Sequence, residues 1–272
     1  MEDNLNRRLH DQFDAARERF GAASLARVET FLRVLTGEQL WRTPDPLQSP
    51  ELYFFPGLKS KPWHDDPPAW LARLEEEAPQ IQRELEGVRI APESFQPYVH
   101  GPDAAYRKEK FALEHHSRRW TVYDLNLQAA EQECPRTTGL LGELFRPHLG
   151  EPVTAQFSAL EPGARIPPHC GVANFFLTAH LGLVTPDGCL LRVGSESRGW
   201  TAGKAFVFDD SYEHAVRNDG TQTRIVLIAR FWHPELTEAE IEAVGTLHET
   251  VIDAAGGSVD AQRETLRRLR GA

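Results

Sequence analysis

The stretches AQFSAL (155–160), ANFFLTAHLGLV (173–184), CLLRV (189–193), AFVF (205–208) and RIVLIARFW (224–232) are short, apolar or alternating, and rich in β-branched and ring side chains. Between them lie the turn signals EPG (161–163), TPDG (185–188), ESRG (196–199), TAGK (201–204) and NDGT (218–221). Such runs read as strands, because branched and aromatic side chains suit a pleated, half-buried surface while Gly, Pro, Asn and Asp supply turn conformations. No helical period intervenes between residues 156 and 232. The region therefore predicts a small all-β barrel or sandwich and not a βαβ sheet.

Upstream, Leu5, Leu9, Phe13, Ala16 and Phe20 recur at steps of three and four, which predicts an amphipathic helix at the start. Residues 43–68 carry seven prolines, which break helices and favour extended or turn backbone. This segment is too aromatic for a free linker, so it is expected to pack on the barrel. Residues 69–88 read as one further helix, followed by aromatic-rich loops and turns to about residue 125. Downstream, Thr237 and Glu240 match a capping box, and a last basic helix closes the chain. The expected organisation is a helical and irregular region over 1–150 packing on the core, a β core over 151–236, and C-terminal helices over 237–272.

Composition excludes several function classes. The chain has 272 residues, 40% hydrophobic and 26% charged, which fits a soluble globular protein of one or two domains. A formal charge of −10 argues against a nucleic-acid partner and against an anionic membrane surface, both of which need a basic face. Three cysteines, Cys134, Cys170 and Cys189, form neither a paired disulfide framework nor a close-spaced zinc motif. There is no apolar leader and no run approaching a membrane span. A cytoplasmic protein with neither nucleic-acid nor membrane partners is expected.

Chemistry concentrates in the β region. His169, in IPPHCG, and His214, in DDSYEHAV, each abut a strand signal. Imidazole suits iron, and non-haem iron oxygenases use two histidines and usually a carboxylate on one face of the metal. Here the position two after the first histidine is Gly171, so that carboxylate is missing; the alternative is two ordinary histidines. Arg224 shifts the balance. The turn Asn218-Asp219-Gly220 predicts a hairpin centred on Asp219, which sets 214 opposite 224 and points both side chains inward. A buried guanidinium needs a partner, and its fork suits a carboxylate. Either a bound dicarboxylate such as 2-oxoglutarate or a salt bridge to Asp209 or Asp210 would supply one.

These residues resemble the aspartyl/asparaginyl β-hydroxylase family. The likeness lies in IPPHCGVANFFLTAHLGLV, GKAFVFDDSYEHAV and RIVLIARFWHPELT, with weaker echoes in LYFFPGLKSKPWHD and CPRTTGLLGEL. It implies a mostly β fold with flanking helices around a double-stranded β-helix, a jelly-roll, cupin-like core. It also implies Fe(II), 2-oxoglutarate and O2 as cofactors, with iron held by His169 and His214 alone. By the same carry-over Arg224 and Ser158 bind the distal carboxylate of 2-oxoglutarate, His180 lies near its other end, and Asp210 accepts a hydrogen bond from a metal-bound water. One departure is Thr178, where that family often has arginine; Arg165, Arg192 and Arg198 are either compensating cations or solvent-facing charges.

The activity so implied is hydroxylation of an unactivated C–H, at the β-carbon of an amino-acid residue in a peptide or natural-product precursor, with a peptide, carrier-bound or small-molecule substrate. Rival expectations are a fatty-acyl hydroxylase, a halogenase of the same core, and a non-catalytic barrel that senses a metal or small acid. His115-His116 beside Arg118-Arg119 reads as a metal or anion patch or as a solvated turn. Trp63 and His64 are expected to pack near the pocket mouth. Cys170 is rejected as an iron ligand, since consecutive side chains diverge in extended backbone.

Overall fold

The larger of two facing antiparallel sheets takes β3 (Ala155–Leu160), β5 (Phe176–Val184), β8 (Ala205–Phe208) and β10 (Arg224–Trp232), and the smaller takes β4 (Arg165–His169), β6 (Cys189–Val193), β7 (Glu196–Arg198) and β9 (His214–Asn218). The coordinates come from a computed structural model, which describes residues 2–90, 94–98, 104–111, 118–144 and 154–271. Two earlier strands, β1 (Gln96–Pro97) and β2 (Trp120–Asp124), extend the larger sheet to the order β1-β2-β3-β10-β5-β8; the smaller runs β4-β9-β6-β7. The chain passes from one sheet to the other after β3, β4, β5, β7, β8 and β9. That wiring is a jelly roll, the double-stranded β-helix.

The same wiring overturns the hairpin expected at Asp219. β9 and β10 lie in different sheets, and Arg224 pairs with Leu160 of β3, not with His214. Asn218 explains the redirection: its Nδ2 donates to the carbonyls of Leu160 and Gln222, both at 2.9 Å, while the Asp219 N–H donates to Gly188 O at 3.0 Å. The Asn-Asp-Gly turn is thus tied to both sheets at once. A strong local turn signal fixes where the chain turns, and tertiary hydrogen bonds decide what it turns toward.

Helices cover the barrel. α1 (Glu2–Phe20) and α2 (Ala26–Thr36) pack with α8 (Glu238–Ala255) and α9 (Val259–Leu269), burying Leu9, Phe31, Val244 and Leu266 against Tyr53, Phe55, Phe175 and Trp232. The expected helix over 69–88 is two, α3 (Trp70–Glu76) and α4 (Ala78–Arg89), with the break at Glu77 just before Pro79. Proline is tolerated in a first turn but not in a helix interior, so it starts α4. α6 (Gln128–Glu133) and α7 (Pro135–Leu144) join α3 and α4 over the outer face of the larger sheet, on Leu177, Leu181, Leu227 and Phe231. The stretch expected as loops before residue 125 also holds β2 and the helix α5 (Ala104–Phe111). The capping box at Thr237 is formed with both reciprocal bonds, and Arg27 holds Glu240 from α2 with a two-pronged hydrogen bond.

Between the sheets lie Leu160, Ile166, Leu191, Val193, Phe208 and Val226 with Trp63, Trp120 and Trp200. This ring-rich interior holds the chemistry. The proline-rich segment seals one end of it: Ser49 N–H donates to Ser211 O at 2.9 Å, Glu51 N–H to Gly171 O at 3.0 Å and Glu213 N–H to Leu47 O at 2.7 Å. His115, His116 and the boundary drawn at residue 150 lie outside the described residues.

Candidate active site

His169 and His214 face each other across β4 and β9, ring centroids 4.0 Å apart. Pro167 and Pro168 lack N–H donors and confine β4 to the sheet edge, and the register shifts between Ile166 and His169. Nδ1 of His169 lies 2.8 Å from Pro167 O, and Nδ1 of His214 lies 2.9 Å from Tyr212 O. A carbonyl only accepts, so each Nδ1 carries the proton and each Nε2 presents a free lone pair. Burial, and then its neighbour His214, pushes His169 down to about 2. Burial also lowers His214, against the opposing pull of Asp210. Two neutral imidazoles with aligned tautomers are what a divalent metal requires.

Asp210 occupies the space that a third ligand at position 171, just past β4, would use. A Cβ built on Gly171 would lie 2.5 Å from Asp210 Oδ1 and 2.6 Å from its Cγ. Glycine is required there because the carboxylate fills its side-chain volume. Thr178 Oγ1 donates to Asp210 Oδ2 at 3.3 Å, and Oδ1 is buried without a partner among the described residues. Gly171→Ala is expected to dislodge Asp210 and lower stability by about 1–3 kcal/mol, a few degrees in melting temperature. Gly171→Asp should be worse alone than together with Asp210→Gly; equal melting temperatures for the two would refute the shared-volume argument.

Deeper in the barrel, Arg224 is 1% exposed and its Nε has no hydrogen-bond partner among the described residues. Its guanidinium lies 4.9 Å above the Trp200 ring. Burial lowers its pKa to about 10. Neither Asp209 nor Asp210 pairs with it: Asp209 accepts from Gln48 Nε2 and from the Ser211 N–H, and Asp210 leans toward Thr178 and Arg230. The salt-bridge alternative to a bound acid is therefore not what the protein builds. His180 projects from β5 into the same interior; its Nδ1 accepts from Trp200 Nε1 at 3.3 Å, which leaves the proton on Nε2. Burial, then Arg224 and His214, hold His180 well below its usual range, so it is a neutral donor. Ser158 Oγ accepts from Trp120 Nε1 at 3.0 Å and so has its own proton to give.

Comparison with known proteins decides the family. The sequence profile described as Aspartyl/Asparaginyl beta-hydroxylase matches residues 75–234. The chain belongs to the aspartyl/asparaginyl β-hydroxylase family. It is 29% identical over 252 residues, 89% of this chain and 71% of the relative, to "Aspartate beta-hydroxylase domain-containing protein 2" of Rattus norvegicus. It is 32% identical over 173 residues, 61% of this chain and 58% of the relative, to "Ornithine lipid ester-linked acyl 2-hydroxylase" of Rhizobium tropici. Among solved structures it is similar to the Schizosaccharomyces pombe Cnp3 cupin domain, with TM-score 0.31 and 10% identity over 43% of this chain and 67% of that one. As a member of this β-hydroxylase family the chain is a hydroxylase.

The arginines weighed as substitutes at Thr178 are engaged elsewhere: Arg165 with Asp219, Arg192 with Glu213, and Arg198 with Asp65 and Glu196. Sequence reasoning did not find Trp120 and Trp200, the indole donors to Ser158 and His180, nor Phe111, packed edge-on to His169 at 4.8 Å. Nor did it find Lys110, which donates to Cys170 O at 2.8 Å and pairs with Glu51. Only tertiary pairing reveals these; the one legible hint was their aromatic clustering. Within the described residues no helix is long and apolar enough to cross a membrane.

Trp63 packs its ring between the sheets, against Phe206 and Phe208. His64 instead meets His233 edge to face at 5.5 Å, and burial pushes both to about 4. Each stays neutral in the folded protein while the unfolded chain gains a proton below its ordinary histidine range. Their contribution is therefore absent above about pH 6.5 and destabilises progressively as pH falls toward 4, by up to about 1.4 kcal/mol per unit for each. Asp209, raised by burial to about 7, works in the opposite sense. The contrast with His64→Gln isolates the histidine: its melting temperature should decline less from pH 7 to 5 than that of the wild type. Parallel declines would count against this assignment.

Proposed function

We propose that this hydroxylase depends on Fe(II), 2-oxoglutarate and O2 and acts on the β-carbon of an amino-acid residue in a peptide or natural-product precursor. The observation that carries the reading is Arg224, a buried guanidinium with no protein carboxylate among the described residues, in the same interior as two histidines with free Nε2 atoms. An interior cation without an anion is costly, and a bound dicarboxylate would offset that cost.

In this reading His169 and His214 would hold the iron, and Asp210 Oδ1 would accept a hydrogen bond from a water beside it. Arg224 and the Ser158 hydroxyl would bind the far carboxylate of 2-oxoglutarate, with His180 Nε2–H donating nearer the metal. Bound iron and cosubstrate would supply the oxidising power, the chemistry being oxidative decarboxylation of 2-oxoglutarate to succinate and CO2 by O2 coupled to hydroxylation of a substrate C–H bond. The chain's own work is positioning and dryness. Trp120 fixes the Ser158 rotor, Trp200 fixes the His180 tautomer, and the rings of Phe206, Phe208 and Trp63 exclude water.

A fatty-acyl substrate is the second reading, favoured by that ring-lined interior and by similarity to the acyl 2-hydroxylase. The test is succinate release when anaerobically iron-loaded protein with 2-oxoglutarate meets O2. Slow turnover is expected without substrate; a protein that binds neither iron nor 2-oxoglutarate would sink the proposal.

A further inference from the structure

Alternation along the smaller sheet turns Ile166, Leu191 and Val216 into the barrel and leaves Arg165, Leu190, Arg192, Ala215 and Arg217 on its outer face. That face holds a trough of about 320 Å3, lined among the described residues by β4, β6, β7 and β9 alone. The lining includes three arginines and no carboxylate, in a chain whose formal charge is −10. Pro167, Leu190 and Ala215 lie between the arginines and give the trough an apolar floor.

The strand register brings the three cations together. Arg217 is paired with Arg165 on β4 and with Leu190 on β6. Like charges directly opposed on neighbouring strands repel, so the bare face carries a cost. Arg192 is paired with Ala215 and Ser197, which sets it diagonal to Arg217, at about 7–8 Å in such ladders. Asp219, outside the lining, reaches Arg165 at 2.7 Å and Arg217 at 3.2 Å, and Glu213 reaches Arg192 at 2.7 Å. Two carboxylates for three guanidinium groups leave one positive charge over. The pairs are also weak holders: Arg165 and Arg217 are 62% and 50% exposed, where ion pairs contribute little and yield to a better anion.

We propose that this outer trough binds a small phosphate monoester, its dianion held by Arg217 and Arg192 with Arg165 beside them, and its apolar body over Leu190 and Ala215. The site lies on the opposite face of the sheet from His169 and His214 and does not depend on the function proposed above. A phosphate offers three oxygens and close to two charges, which suits several guanidinium forks at once. A carboxylate offers two oxygens and one charge, and Asp219 already supplies that. An anion at this place would also relieve the repulsion between Arg165 and Arg217. The concave floor suits a small ligand better than a flat lipid surface.

The experiment titrates phenyl phosphate by calorimetry into the full chain at about pH 8, where the monoester is a dianion, with benzenesulfonate as a probe of like shape and single charge. Phenyl phosphate is expected to bind at least about tenfold more tightly than benzenesulfonate, and Arg192→Gln and Arg217→Gln each to weaken it by about tenfold or more. Asp219→Asn should tighten it by about threefold, since the competing carboxylate is gone; a purely structural Asp219 would give no gain. Three results overturn the inference: no binding of phenyl phosphate at about 10 mM, equal binding of the two probes, or undiminished binding by a folded Arg217→Gln. Capture of phosphatidylcholine vesicles containing phosphatidic acid, without binding of phenyl phosphate, would assign the face to a lipid surface and overturn it as well.

Discussion

Arg224→Met is expected to weaken 2-oxoglutarate binding by about 30- to 1000-fold while leaving the melting temperature unchanged or raised. The two effects have one cause. A charge-assisted bidentate contact made in a dry site is worth about 2–4 kcal/mol when one partner is removed, which is that range of dissociation constants. In the empty protein the same guanidinium is a liability: it is buried, its Nε is unpartnered, and burial already lowers its pKa to about 10. Replacing such a group by an apolar side chain of similar length is often neutral or stabilising. The contact with Trp200 works the other way, by about 1 kcal/mol. Binding measured by calorimetry beside a thermal melt separates the outcomes. A variant that melts much lower yet binds 2-oxoglutarate normally would make Arg224 a structural residue and remove the main support for the cosubstrate.

The strands β3, β5, β6, β8 and β10 were legible because their periodicity and turn residues are local properties. So were the amphipathic stripe of α1 and the capping box of α8. What was illegible is non-local. β7 (Glu196–Arg198) lies in ESRG, which reads as a turn because its strand character comes from pairing with β6. β2 reads as aromatic loop because its strand character comes from pairing with β3, Val122 opposite Ser158, and not from its own alternation. β4 contains two prolines, which argue against a strand until it is seen to be an edge.

Arg224 faces the interior, as expected, but on a strand of the larger sheet and not across a hairpin from His214. Both β9 and β10 turn alternate residues inward, so His214 and Arg224 share an interior although no ladder joins them. The role of Asp210 followed the same pattern. Its place in DDSYEH is plain in sequence, but that its carboxylate fills the space above Gly171 needs coordinates.

His169→Ala and His214→Ala are each expected to abolish succinate release, to below about 1% of wild type, through loss of iron. Substituting groups that merely orient a ligand costs about 10- to 100-fold in metal affinity. Removing one of two protein ligands must cost more, so a loss of at least about 100-fold in Fe(II) affinity is the expected floor, with Asp210→Asn falling in the orienting range. The two histidine variants should differ in stability. His214 is 8% exposed on the inner strand β9, flanked by both β4 and β6, so its truncation leaves a cavity; His169 ends an edge strand and should cost less. Both imidazoles are held neutral by burial, so iron displaces no proton from them, and its affinity should stay flat between about pH 6 and 8. Iron binding is read by anaerobic titration in the absence of 2-oxoglutarate, which keeps the metal site separate from the Arg224 end. Full iron occupancy in either alanine variant would place the metal elsewhere and return the pair to ordinary strand histidines.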